Sequence, residues 1–335
     1  MNKWQKTLLP AAIIVLVYVA IELMRGADIM GVYWAKVLDY SLVITISATG
    51  LSLIYGFTGQ FSLGHAAFYG IGAYAAGYVT KTFGGEWYFY VLALAAGAAA
   101  AGLVGFLIGL PILRLRSDYL GIATLGFGII VKVLLDNTDK LAPALGGSRG
   151  MLGIPQVTTF AWIFWLCVAT VLLARNLILS SHGRALTAVR EDEIAADLMG
   201  IDTTRFKTLA FVMGCTFAGL AGGLYAHLYP FLHPTSFDFL KSLDVLLVVV
   251  LGGLGSLTGT VATAIGWVFL QEWLRAVLPQ EYLEFRGVIY ALVLIIIMIV
   301  RPQGLLGGKE FSLDRFFGRK RGAGAEKGGN QRASA

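Results

Sequence analysis

The sequence predicts an all-α polytopic membrane protein with about ten transmembrane or re-entrant helices. Its 335 residues are 57% hydrophobic and only 14% charged, whereas soluble domains carry about 25% charged residues. The apolar runs recur at lengths near the roughly 20 residues that cross a bilayer as a helix. They lack the period-2 alternation of barrel strands. The 42 glycines suit close helix packing and broken helices.

Ten apolar segments follow one another, and each is predicted to be a helix. They cover about 8–24, 33–55, 61–80, 88–113, 119–136, 159–180, 207–229, 240–256, 258–278 and 284–300. The first is longer than a signal-peptide core and no A-x-A cleavage site follows it, which predicts an uncleaved span. The junctions at 56–60 and 252–259 are glycine-rich and too short for ordinary loops. Each pair of flanking segments is therefore either two spans or a re-entrant hairpin.

The positive charges predict the orientation of the chain. With the N-terminal lysines inside, alternate crossings place the loop 175–207 and both termini in the cytoplasm, as the positive-inside rule requires. We divide the chain into a first span and loop at 1–37, a core at 38–304 and a basic tail at 305–335, whose composition predicts disorder. The segment 137–155, rich in Gly and Pro, is predicted to be the longest external loop and an outward surface for a partner.

The longest strongly charged interruption of the apolar sequence lies at 184–207. Asp192 can cap a short helix there, and Gly200 can end it. Asp202 or Thr203 can then cap the next helix, which returns to apolar sequence. The segment is therefore predicted to hold a short cytoplasmic helix between two spans.

This short helix is amphipathic. Glu193 in its first turn suits the positive end of the helix dipole. The apolar residues on one side are Ile194, Ala195, Leu198 and Met199, and the acids Glu191, Glu193 and Asp197 lie largely on the other. Such a helix is shaped to dock into another protein. The alternative is an ordinary solvated loop with a positive-inside bias.

The stretch 50–74 is the strongest candidate for a transport pathway. Its glycines would allow a helix to break inside the membrane, where Gln60, Ser62 and His65 could line the path. Tight packing of small residues, with His65 bonded to a neighbouring helix, is an equally good interpretation. Asp39 and Asp244 also fall within apolar segments, and for both a structural role is favoured over an ion site.

Other classes of site find no support in the sequence. The two cysteines lie inside apolar runs, which argues against a disulfide framework or a zinc cluster. His227 and His233 have no metal-ligand spacing to a Cys or carboxylate cluster. The sequence has neither a Walker A loop nor a nucleophile and base pair, which predicts a non-catalytic chain without its own ATP site. The net charge of +6 is concentrated in loops and the tail, which indicates topology rather than nucleic-acid binding.

Three long motifs resemble the permease family of branched-chain amino acid ABC transporters, and its LivM-type subunits more than the shorter LivH-type ones. They are GLSLIYGFTGQFSLGHAAFYGIGAYAAGYV from position 50, RALTAVREDEIAADLMGIDTTRFKTLAFVMGCTFAGLAGGLYA from 184 and VLGGLGSLTGTVATAIGW from 250. The resemblance runs from about 38 to 304. It implies an ABC importer permease that pairs with a LivH-like permease, two cytoplasmic ATPases carrying ATP and Mg²⁺, and a periplasmic binding protein, in a bacterial inner membrane.

The resemblance also implies that 184–207 is the loop that couples the permease to its ATPases. The family pattern of Glu-Ala-Ala, three residues and Gly is matched loosely by Ile194, Ala195, Ala196 and Gly200, with the acid one place early at Glu193. Two alternatives stay open. One is an importer of the same type for urea, short amides or aromatic acids, and the other is an autonomous secondary transporter or channel.

Overall fold

The computed structural model describes residues 3–115, 117–140, 142–278, 286–301 and 303–306. These residues form twelve α-helices and one two-stranded sheet, with no barrel. The helices are α1 (Lys3–Gly26), α2 (Val32–Leu51), α3 (His65–Phe83), α4 (Trp87–Ile112), α5 (Ser117–Asp136), α6 (Phe160–Leu179), α7 (Ser181–Glu191), α8 (Glu193–Leu198), α9 (Thr203–Leu228), α10 (Phe239–Gly252), α11 (Leu257–Val277) and α12 (Arg286–Val300). The all-α fold class is confirmed.

The core is a bundle of α2, α3, α4 and α9, which make the most extensive helix contacts of the described chain. Small residues allow these helices to approach closely. A Cβ atom placed on Gly72 of α3 would lie only 2.2 Å from the carbonyl oxygen of Gly219 in α9. Such contacts between small residues replace the hydrophobic driving force that lipid does not supply.

Each of the ten predicted apolar segments contains a helix, but the number of membrane spans is not confirmed as ten. Five helices in the described residues are long and apolar enough to cross a bilayer: α2 with the turn that continues it to Phe57, α4, α5 from Tyr119, α6 and α9. By contrast, α10 has 14 residues. At 1.5 Å per residue it is about 21 Å long, shorter than the ~30 Å hydrocarbon layer.

Both glycine-rich junctions break the helices. The first follows a π-helical turn, Ser52–Phe57, that extends α2, and the chain has no regular structure from there until α3 begins at His65. The second separates α10 from α11. Beyond α12, the backbone N–H of Leu305 donates to the carbonyl oxygen of Leu251, at 2.8 Å. The start of the predicted tail therefore binds the end of α10, while 307–335 and its predicted disorder lie outside the described residues.

The segment 137–155 is folded onto the bundle. It contains three short 3₁₀ turns and the strand β1 (Met151–Leu152), which pairs antiparallel with β2 (Phe231–Leu232). The Lys81 ammonium also donates to the carbonyl oxygen of Ala144, at 2.7 Å. These contacts tie the segment to the ends of α3 and α9.

Candidate functional site

The predicted short helix is α8, and its capping residues are those that the sequence indicated. The Asp192 carboxylate accepts the backbone N–H groups of Ile194 and Ala195, at 2.9 and 3.0 Å. Gly200 follows the helix with a positive φ of 82°, the conformation expected where a glycine ends a helix. Asp202 accepts a backbone N–H in the first turn of α9, at 3.0 Å. The caps fix where α8 begins and ends between two longer helices.

One face of α8 is apolar and uncovered. The exposed fractions are 75% for Ile194, 82% for Leu198 and 82% for Met199, and Ala195 is exposed beside them. Ala196 is buried and packs toward the rest of the chain, at 5% exposure. Three large apolar side chains, two on this six-residue helix and one directly after it, form a small patch of the kind that an interface covers. We call Ile194, Leu198 and Met199 the α8 face.

Glu193 lies outside this face. Its carboxylate forms an ion pair with the Lys207 ammonium of α9, and the Lys207 side chain is only 12% exposed. The sequence placed Glu193 in the first turn of the helix, where it is found, but gave no sign of this partner fourteen residues away. The ion pair holds α8 against the start of α9.

Arg190, at the end of α7, joins the loop to both helix breaks. Its guanidinium Nη1 donates to the carbonyl oxygen of Gly56 at the end of the π-helical turn, at 2.7 Å. Its side chain also packs against Gly59 and Gly255, one glycine from each break. A Cβ atom on Gly255, whose φ is +82°, would lie 2.7 Å from Nη1. Sequence reasoning missed Arg190, and the glycines of the two junctions were the only signal of a close approach.

Gln60 makes a second link between the loop and the first break. Its side-chain Nε2 donates to the backbone carbonyl oxygen of Lys207, at 3.2 Å. Lys207 therefore contacts Glu193 through its ammonium and Gln60 through its carbonyl. A displacement of α8 would act on the unwound segment after α2 through this residue and through Arg190.

The three predicted pathway residues lie in or directly after the first break, and all are buried. Their exposed fractions are 3% for Gln60, 1% for Ser62 and 0% for His65. His65 Nε2 lies 2.9 Å from the carbonyl oxygen of Ser47 in α2. Because a carbonyl can only accept, Nε2 carries the proton and Nδ1 is left as an acceptor. The bond to a neighbouring helix is the one that the packing interpretation expects.

Three polar atoms of this segment have no hydrogen-bond partner among the described residues. They are Gln60 Oε1, Ser62 Oγ and His65 Nδ1. Buried polar atoms are nearly always paired, so such a group needs an explanation such as water or a ligand. The break thus combines close packing with unused hydrogen-bonding capacity.

The other ionisable candidates are separate from this site. Asp39 pairs with Arg25 of α1, which supports the structural role favoured for it. Cys167 and Cys215 are free and buried. No group of three His, Cys, Asp or Glu side chains that could hold a metal ion occurs within the described part of the chain.

Comparison with known proteins gives a consistent assignment. A family model described as the branched-chain amino acid transport system permease component matches residues 33–298. The chain is 34% identical to the Salmonella typhimurium high-affinity branched-chain amino acid transport system permease protein LivM, over 90% of this chain and 75% of that protein. It is 36% identical to the Escherichia coli K12 LivM protein, over 79% of this chain and 68% of that protein. It is 28% identical to the S. typhimurium LivH protein, over 78% of this chain and 91% of that protein. No solved structure matches.

Proposed function

The chain belongs to the family of branched-chain amino acid transport permease components and is of the LivM type, and from this premise we propose that it forms one half of the translocation pathway of an ATP-driven importer. The observation that carries the coupling role is the uncovered α8 face, linked through Arg190 and Lys207 to the first helix break.

The α8 face fits a groove in a cytoplasmic ATPase. A chain with no nucleotide-binding motif needs a separate source of energy, and the loop offers its three apolar side chains at the end of a capped, rigid element. Burying one leucine side chain stabilises an interface by about 1.5–3 kcal/mol. Closure of the ATPases would move α8 as a rigid body, and Arg190 and Lys207 would carry the movement to the segment between α2 and α3.

The remaining partners follow from the family. The chain would pair with a LivH-like permease, two ATPases binding ATP and Mg²⁺, and a periplasmic protein that delivers the solute. It would lie in a bacterial inner membrane with both termini in the cytoplasm, and would itself be non-catalytic. Gln60, Ser62 and His65, with their unpaired polar atoms, would contact the solute or the water around it when the break opens.

Leu198→Asp tests the coupling role directly. The substitution places a charge where a partner would bury a leucine, so we expect a roughly ten- to hundred-fold loss of ATPase affinity and loss of leucine uptake. The measurement is co-purification of the ATPases with the inserted permease, followed by uptake into proteoliposomes of the complete complex.

Leu115→Asp is the matched control. Leu115 is 43% exposed just beyond α4, outside the loop 184–207, so this variant should retain the ATPases. Normal association and normal uptake by Leu198→Asp would contradict the docking role. Ion-driven uptake by the purified chain alone would instead favour an autonomous secondary transporter.

A further inference from the structure

Four tyrosines and one lysine form a chain of contacts where α2, α3, α9 and α10 meet. The Lys241 ammonium donates to the Tyr40 hydroxyl and lies 5.0 Å from the centre of the Tyr40 ring. Tyr225 of α9 and Tyr229, directly after it, pack on Tyr40, with ring centres 6.0 and 6.3 Å away. Tyr69 of α3 closes the group, 5.6 Å from Tyr225. We call these five residues the Lys241 cluster.

The cluster lies well inside the helical bundle. Tyr40 is about 12 Å along α2 from its first residue, at 1.5 Å per residue. Ser242, next to Lys241, accepts the backbone N–H of Ala66 in the first turn of α3, at 2.9 Å. The first turns of α3 and α10 therefore meet, and α3 begins inside the protein, where His65 and Ala66 are buried. Starts of broken helices carry a partial positive charge that favours an anionic group.

An acidic residue accompanies the lysine. Asp244 lies one turn further along α10, close enough to interact electrostatically with Lys241, and the Gln271 side chain of α11 lies beside its carboxylate. Lys241 and Asp244 are both only partly buried. Ionisable groups at this depth in a membrane protein are costly and are commonly retained for binding or transport.

Tyr69 gives an independent sign that a ligand is expected. Its side chain is 3% exposed, and its hydroxyl has no hydrogen-bond partner among the described residues. Its ring centre lies 5.6 Å from that of Tyr225, and the hydroxyl is near enough to Tyr40, Tyr225 and Tyr229 to interact with them electrostatically. A buried hydroxyl left unpaired in a group whose Tyr40 hydroxyl accepts from the Lys241 ammonium is suited to donate to an anionic oxygen.

We propose that the Lys241 cluster binds the carboxylate of the transported solute, with Asp244 binding its ammonium group and the tyrosine rings contacting its apolar side chain. The inference rests on the proposed importer function and assigns its amino acid cargo a binding site in the permease. Urea and short amides have no carboxylate for the lysine. Aromatic acids without an amino group would offer no ammonium for the Asp244 carboxylate to bind.

The test uses the complete importer in proteoliposomes, with L-leucine as the probe and with binding-protein-stimulated ATP hydrolysis measured in parallel. Lys241→Met should lower leucine uptake about ten-fold or more, the effect of losing a hydrogen bond to a charged group, while stimulated hydrolysis continues. Lys241→Arg should restore a large part of the uptake because it keeps the charge. Asp244→Asn should also lower uptake.

Tyr69→Phe is the decisive variant if Lys241→Met fails to assemble, because it removes one hydroxyl and keeps the ring. It should lower uptake several-fold. Tyr90→Phe is its matched control, since Tyr90 is equally buried but its hydroxyl bonds Thr158, 2.8 Å away, outside the cluster. Wild-type uptake by Lys241→Met, or by Tyr69→Phe where Lys241→Met does not assemble, would overturn the site. Failure of the wild-type complex to import leucine would instead overturn the proposed function.

Discussion

Arg190 is the residue whose role can be separated most cleanly from that of the docking helix. Its side chain is about one third exposed, so we expect its bond to Gly56 to contribute about 1 kcal/mol, below the usual range for hydrogen bonds to charged groups. Loss of this bond should therefore weaken the transmission of movement from the loop to the first helix break more than it weakens folding. Arg190→Ala should keep the ATPases bound while uptake per ATP hydrolysed falls several-fold.

Arg175→Ala is the control for this prediction. Arg175 is an exposed cation near the end of α6, outside the coupling loop, and should leave the ratio of uptake to hydrolysis unchanged. Gly255→Ala should reproduce the Arg190→Ala phenotype, since its new methyl group would displace the guanidinium. An unchanged ratio in both Arg190→Ala and Gly255→Ala would show that the movement reaches the pathway by another route.

The boundaries of α8 show how much of an element the sequence predicts. Asp192, Gly200 and Asp202 were identified as caps because each satisfies backbone groups within three or four residues of itself. The contacts of Glu193 and Arg190 could not be predicted in the same way. Their partners are fourteen residues away or in other helices, and a charged side chain in a loop has many possible partners.

Gly200 offers a graded test of α8 as a rigid element. Proline cannot adopt the φ of +82° found at Gly200, and it lacks the N–H that Gly200 donates to the carbonyl oxygen of Asp197, at 2.9 Å. Gly200→Pro should therefore disorder the end of α8 and uncouple transport. Gly200→Asn should remain close to wild type, because asparagine tolerates a left-handed conformation. The measurement is uptake and ATPase co-purification at equal membrane levels. Equal activity of the Pro and Asn variants would mean that the helix end is not required.

For the whole molecule, the sequence predicted the apolar helices and the two glycine-rich junctions but not that the junctions meet. Each break could be seen locally from its glycines. Their convergence on Arg190 depends on packing between segments almost 200 residues apart, which no local pattern encodes. The same holds for the Lys241 cluster: none of its five residues was singled out from the sequence, and only Asp244 beside it was. Tyrosines spread over three helices carry no spacing that indicates a common site.

The orientation of the chain is open to a direct measurement. Of the five helices in the described part of the chain that are long enough to cross a bilayer, only α6 lies between Ser148 and Thr204, and both residues are exposed. We therefore expect the two residues to lie on opposite sides of the membrane, with Thr204 inside as the charge distribution predicts. The native Cys167 and Cys215 are 5% and 0% exposed, so they should not react with a maleimide in the folded protein.

Cysteines introduced one at a time at these two positions, with the native pair retained, should consequently differ in their reaction with a maleimide. A membrane-impermeant maleimide applied to intact spheroplasts should modify Ser148→Cys and leave Thr204→Cys unmodified until the cells are lysed. The unsubstituted chain is the background control. Labelling of both variants before lysis would mean that α6 does not cross the membrane, and the reverse pattern would place the α8 face on the outside, where no ATPase could reach it.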